Sequence, residues 1–328
     1  MFDRTKLKIR PLQERIHDLD ISIMRNLDSV NSYSEKTRSV AIEVIEAKRK
    51  GREIVFMMGG HVIRSGTQRY IIDLMKRGYI TCITTNGASV IHDYEFALIG
   101  ATTENVARYI ESGQFGLWYE TGQINDIINL AYKESGLGMG EAIGKAIYEG
   151  DFPYKNISIL ATCYRLNIPA TIHIGIGYDI IHEHPNFDGA AAGATSYVDF
   201  LRLAKTITNL EGGVVMNFGS AVMAPEVFLK ALSMARNIAH QNGMVIKHFT
   251  TLVCDLYDLP DDFRKEPEKD LAGYYFRPWK TMLIRTVTDG GKSFYVKGKH
   301  GETIPALWTA INEVEKIKGL RDSGIEGL

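Results

Sequence analysis

Short apolar runs, each closing in glycine or a polar turn, alternate with stretches of helical period along most of this chain. Ile54-Val-Phe-Met-Met is apolar at every position, as a strand covered on both faces is, and it ends in Gly59-Gly60-His61. A helical pattern follows from Thr67 to Arg77 and closes at Gly78. Tyr79 to Thr84 is the next apolar run, ending in Thr85-Asn86-Gly87-Ala88, with a helix predicted around Tyr94 to Ile99. The order then repeats. A helix from Asn156 leads to a strand from Pro169 to Ile174 that ends at Gly175-Ile-Gly177, and a helix from Tyr197 to Asn209 leads to a strand from Gly213 to Asn217 that ends at Gly219-Ser220. A helix from Pro225 to His240, with proline in its first turn, leads to a strand from Phe249 to Cys254 that ends at Asp255.

Strands alternating with helices predict an α/β fold with a parallel sheet and right-handed crossovers. The first fifty residues read as helical, with an amphipathic period from Glu43 to Lys50 before Gly51. The predicted organisation is therefore an N-terminal helical segment over 1–50 and a single α/β domain over 51–328. Gly136-Leu-Gly138-Met-Gly140 follows a helical segment and reads as a turn, and the polar stretch from Pro260 to Asp270 reads as an exposed loop.

In an open parallel sheet, ligands bind at the carboxyl ends of the strands. The residues just after each apolar run are thus the candidates: Gly59 to Gly66, Thr84 to Gly87, Gly175 to Asp179, Asn217 to Ser220, and Asp255. Glycines there let backbone approach a ligand closely, and helix N-termini beside them attract phosphate. The first turn is neither a P-loop, since no Gly-Lys-Ser or Gly-Lys-Thr follows, nor the G-x-G-x-x-G dinucleotide fingerprint.

Bulk properties narrow the partners. Across 328 residues the net charge is −1, which gives no electrostatic footprint for nucleic acid or an anionic membrane. No apolar segment reaches the length of a membrane span, and the first residues lack the apolar stretch of a signal peptide. Cys82, Cys163 and Cys254 are odd in number, far apart and set in apolar runs, which argues against a disulfide framework. A cytoplasmic location is expected. His182 and His184, with His173 before them and Asp188 after, offer a second class of chemistry, a metal-dependent hydrolase or lyase. Spacing so short specifies little, and no metal is expected.

Gly59-Gly60-His61-Val62-Ile63-Arg64-Ser65-Gly66, then a helix, then Thr84-Thr85-Asn86-Gly87-Ala88 and Asp93, resembles the deoxyhypusine synthase family at the strand ends that contact NAD. The likeness continues through Pro169-Ala170, the helix from Tyr197, and Gly212-Gly213-Val214-Val215. The resemblance implies a Rossmann-like domain with helices on both faces of the sheet, a homotetramer, and NAD as cofactor, with Gly212, Gly213 and Asp255 joining the turns in holding it. It implies aminobutyl transfer from spermidine or a related polyamine through an enzyme-lysine imine, the acceptor being a free amine or a protein lysine. Arg277-Pro278-Trp279-Lys280 lies nearest the family's Trp-Gly-Lys, which makes Lys280 the candidate imine-forming lysine beside Trp279. The family's active-site histidine corresponds to Asn217, and no clean counterpart of its Ser-Asp-Ser-Gly-Ala motif follows Asp255. Asp179, Glu183, Asp188 and Asp258 are the carboxylates available to a polyamine. A non-catalytic relative that keeps the cleft and binds NAD or an amine is the third reading.

Overall fold

The computed structural model describes residues 2–322. In chain order the regular elements are β1 (His17–Asp20), α1 (Glu35–Arg49), β2 (Ile54–Met58), α2 (Gly60–Arg64), α3 (Gln68–Lys76), β3 (Cys82–Asn86), α4 (Gly87–Ile99), β4 (Ala101–Glu104), α5 (Val106–Glu111) and α6 (Tyr119–Leu130). They continue with α7 (Met139–Glu149), α8 (Ile159–Leu166), β5 (Ala170–His173), α9 (Gly189–Ile207), β6 (Val214–Phe218), α10 (Met223–Gln241), β7 (Thr250–Asp255), β8 (Lys292–Lys297) and α11 (His300–Asp322). These elements fall into two units. One holds the residues up to Met24, Gly59–Gln68 and Ile83–Leu203; the other holds Arg25–Met58, Arg69–Cys82 and the chain from Ala204 onward.

The second unit is built on parallel strands. Ile54 lies opposite Val214, Val214 opposite Thr250, and Thr250 opposite Lys292, which orders the sheet β2-β6-β7-β8. β2 and β6 are buried at every position, so both their faces are covered, as their unbroken apolar runs require. Phe56 and Phe218 stack across the pair with ring centroids 4.6 Å apart. β8, at the edge, buries Tyr295 alone between half-buried neighbours and is exposed at both ends, and this weaker pattern left it unread in the sequence. α1 begins where Ser34 accepts a hydrogen bond from the Thr37 amide, and it buries Val40, Ala41, Val44 and Ala47 along one stripe.

The first unit pairs β3 with β5 in parallel, Ile83 opposite Ala170, and adds an antiparallel ribbon in which His17 lies opposite Glu104 and Leu19 opposite Thr102. β3 runs directly into α4. Asn86 makes that possible by capping the helix, its side chain accepting from the Ser89 amide and hydroxyl at 3.1 and 3.0 Å. Across this unit Asp93 of α4 caps a second helix. Its carboxylate accepts from the Ser158 hydroxyl (2.6 Å) and from the amides of Ile159 (2.8 Å) and Leu160 (3.1 Å) at the start of α8.

Three local readings differ from the structure. Of the first fifty residues only Glu35–Arg49 forms a long helix, while His17–Asp20 is a strand and short 3-10 turns lie between. Thr281 to Arg285, whose apolar run looks like a strand, belongs to a π-helical stretch over Trp279–Arg285, with Trp279 to Leu283 all buried. Gly136 to Gly140 does turn, but Gly140 also enters α7 and packs against the Ala170 carbonyl of β5. Asp93→Ala should cost about 2 kcal/mol, because two buried amides and a hydroxyl lose their acceptor. Urea denaturation followed by circular dichroism measures it.

Candidate functional site

The functional groups of the first unit converge on a cleft of about 210 Å³ lined by Arg15, Arg64, Ala88, Ile91, His92, Glu95, Thr103, Glu104, Val106, Phe115 and Tyr178 to Ile180. Its floor is an ion pair. Arg15 donates both terminal nitrogens to Glu95, at 2.8 and 2.7 Å, with both side chains 1% exposed. The Thr102 and Thr121 hydroxyls donate to the same carboxylate at 2.7 and 2.6 Å. Burial alone would raise the Glu95 pKa, but Arg15 and the two hydroxyls outweigh it and hold Glu95 below the usual range, hence ionised.

That charge state fixes the next link. Thr102 gives its hydrogen to Glu95, so its oxygen accepts from His92 Nδ1, 2.9 Å away. His92 is left with Nε2 as an acceptor, and burial pushes its pKa down to about 4, so the ring is neutral at physiological pH. Glu104 is spent on the protein: it accepts from the Gly116 amide (3.0 Å) and from Trp118 Nε1 (2.9 Å). Asp179 approaches the backbone of Gly87 so closely that a Cβ there would lie 2.1 Å from its Oδ2, so a side chain at the start of α4 would displace this carboxylate. Burial raises the Asp179 carboxyl to about 6. His182 Nδ1 accepts from the amides of Gly177 (3.1 Å) and Asp179 (3.3 Å), so the neutral ring carries its proton on Nε2, 3.8 Å from the Asp179 carboxylate.

Of the residues singled out as ligands from the sequence, Arg64 and Asp179 line this cleft, and others belong to the same unit. Gly59 caps α2, and Gly60 packs against Ala88 and His92 of α4. His61 lies 3.4 Å from Arg64 Nη1, and both burial and that guanidinium lower its pKa. Ser65 donates to the Val62 carbonyl, and Gly66, with φ +71°, passes so near the Ile23 carbonyl that no side chain fits. Thr84 and Thr85 are buried within β3, Thr84 accepting from Thr171 at 3.0 Å. Glu183 comes near Glu104, and burial together with that carboxylate raises its pKa.

Other candidates are committed to structure. Asp93 caps α8, and Asp188 accepts from the Ala190 amide at the start of α9. His173 is buried in β5 against Thr171, and His184 bonds the Gly116 carbonyl at 2.8 Å. With His182 turned to Asp179, the three histidines serve separate places, and among the described residues no three His, Cys, Asp or Glu side chains converge as metal ligands. Cys82, Cys163 and Cys254 are buried thiols.

In the second unit Gly212 and Gly213 sit at the amino end of β6, opposite the Gly219-Ser220 end. Asn217 is buried and closes that far turn, donating to the Ser220 carbonyl and accepting from its amide. Asp255 ends β7 and accepts from the amides of Leu256 and Tyr257, while Asp258 is exposed and pairs with Lys297. Trp279 donates to the Phe263 carbonyl at 2.7 Å. Lys280 is 2% exposed, with its ammonium 3.2 Å from the centroid of the Tyr274 ring, so it is no surface lysine.

Arg15, His92, Glu95, Thr103 and Glu104 escaped the sequence reading. For two of them a signal existed: Ala88, Ile91, His92 and Glu95 share one face of α4, and ionisable groups on such an apolar helix mark a buried network. Thr102-Thr103-Glu104 gives no comparable sign.

The family description of the arginine dihydrolase ArgZ-like C-terminal Rossmann-fold domain matches residues 38–147. In fold the chain is similar to the arginine dihydrolase ArgZ of the ornithine-ammonia cycle in cyanobacteria, at 18% identity and a TM-score of 0.50 over 85% of this chain and 32% of that one. It is similar to a conserved LOR/SDH protein of Methanococcus maripaludis at 16% identity and 0.52, over 89% and 74%. It is also similar to AgrE, solved with ornithine and NAD+, at 16% identity and 0.50, over 88% and 35%. The chain thus spans about a third of the length of ArgZ and AgrE. No curated protein matches it in sequence. These likenesses establish the Rossmann-like α/β fold. Among the described residues no helix is long and apolar enough to cross a membrane.

Arg15→Ala should destabilise the protein by about 3–5 kcal/mol, because it strands the Glu95 charge in the interior. Thermal unfolding tests this, and a loss below about 1 kcal/mol would refute the Arg15–Glu95 pair as the floor. Asp179 adds a pH signature. A carboxyl raised from 3.8 to about 6 contributes its full stability below pH 4 and loses it as pH rises through 6. Relative to Asp179→Asn, the native protein should therefore lose up to about 3 kcal/mol between pH 4 and pH 7, read from denaturation curves at each pH.

Proposed function

We propose that the protein is an NAD-dependent enzyme acting on a small amine, and that its reaction is aminobutyl or aminoalkyl transfer from spermidine or a related polyamine through an imine on Lys280. The observation that carries this reading is Lys280 itself. A primary amine 2% exposed and packed against an aromatic face has the setting of a lysine that captures carbon as an imine. The glycine turns resemble the deoxyhypusine synthase pattern, and AgrE, similar in fold over 35% of its length, was solved with ornithine and NAD+.

Arg64 keeps a buried Nε without a partner, a donor fit for a phosphate oxygen of NAD, and it lies between the glycine turn at Gly59-Gly60 and Gly66. When bound, NAD would supply a hydride acceptor for the carbon beside an amine nitrogen. The chain's residues would do the remaining work: the glycine turns and Arg64 hold the cofactor, and Asp179 and Glu183 face an amine. Lys280 offers the nucleophile. A cytoplasmic homotetramer is part of the same reading.

Incubation with NAD+ and spermidine should release diaminopropane, and borohydride should fix a mass increment on the peptide carrying Lys280. Lys280→Arg should abolish both while leaving NAD+ binding in place. Turnover that survives this substitution, or no release from any amine with any acceptor, would overturn the transferase reading.

A further inference from the structure

Two groups lining the first-unit cleft have hydrogen-bonding capacity that the protein leaves unused. Arg64 Nε and Thr103 Oγ1 are each buried with no partner. Unmet buried groups of this kind are costly, and a guanidinium N–H and a hydroxyl lining one cleft are both donors that suit an oxygen anion. Of the carboxylates lining the cleft, Glu95 is spent on Arg15, Glu104 accepts from Trp118 and the Gly116 amide, and Asp179 lies 3.8 Å from His182 Nε2, so none of the three bonds Arg64 Nε.

Thr103 adds an independent sign. Its φ is +68°, a left-handed conformation that a β-branched residue adopts only under constraint. The constraint is visible: Thr102 on one side is tied to Glu95, Glu104 on the other to Trp118, and both are registered against β1. Glycine would fit this backbone without strain. A threonine held there keeps a hydroxyl in the cleft that the fold itself does not use.

We propose that Arg64 and Thr103 form a subsite for an anionic oxygen of the bound ligand, beside the neutral His92 ring. Two sources share this chemistry, a phosphate of the dinucleotide and a carboxylate on the amine substrate. The subsite rests on the cleft geometry, and it deepens the amine reading by naming what the far end of either ligand must carry. A bare polyamine would place a cation near Arg64 and leave both groups unmet.

Calorimetry on the full chain separates the sources with two pairs: L-ornithine against putrescine, identical but for the carboxylate, and NAD+ against nicotinamide riboside plus adenosine, which together lack only the pyrophosphate. Arg64→Ala and Thr103→Gly should each weaken the anionic member of one pair by about tenfold or more, the loss expected when a charged hydrogen bond is removed, and leave its neutral or cationic counterpart unchanged. Loss confined to ornithine assigns the subsite to a substrate carboxylate; loss confined to NAD+ assigns it to the cofactor. Thr103→Gly should fold with an unchanged or higher Tm, which separates the lost hydroxyl from damage to the fold. Unchanged binding of both anions in both variants overturns the subsite. So does a native protein that binds neither of them nor inorganic phosphate. Failure of amine turnover alone leaves the binding pattern standing and counts only against the transferase reading.

Discussion

The buried Arg15–Glu95 pair organises the first unit. Four segments meet at one carboxylate: Arg15 from the chain entering β1, Glu95 from α4, Thr102 from β4 and Thr121 from α6. Such a pair offsets its desolvation only when every donor and acceptor is used, and here each bond is short and each partner is itself held. Arg15 Nε goes on to His17, and its guanidinium lies 5.9 Å from the Trp118 ring. Because Glu95 stays ionised, Thr102 must donate to it, and His92 must donate to Thr102. One charge therefore sets a hydroxyl orientation, a tautomer and the acceptor that His92 offers to the cleft.

The second unit is held differently. Its sheet is a stack of apolar runs with few charges inside, and its stability comes from burial on both faces of β2 and β6. Lys280 is the exception. It lies in a π-helical stretch, a helix form that recurs at functional positions because its wider turn shifts the register of one side chain. The ammonium lies over the Tyr274 ring, and Glu266 is within reach of its charge. The first unit thus pairs its central buried charges with each other, whereas the second sets a buried ammonium against an aromatic ring.

Much of the frame could be read along the chain. The apolar runs at Ile54, Gly213 and Phe249 are strands, the glycine turns after them fall where expected, and Gly78 and Pro225 mark helix boundaries as their backbone preferences dictate. Elements with weak periodicity were lost: the ribbon of β1 and β4, the edge strand β8, and the helix around Lys280. The candidate site was partly legible. Arg64 and Asp179 line the cleft, but Asp93 and Asp188 are helix caps, a role that a carboxylate near a glycine turn shares with ligand binding and that no spacing distinguishes.

What the sequence determined by itself is the alternation of strand and helix and the turns that end the strands, because periodicity and glycine conformation are local properties. Which polar side chains remain unspent was decided only by the tertiary structure. Glu95 and Asp93 lie two residues apart on one helix, yet one neutralises Arg15, 80 residues away, and the other caps α8. Thr103 is unremarkable in sequence and becomes notable only when its neighbours are pinned on both sides. A hydrogen bond is a property of two groups, and the chain places the second group far from the first.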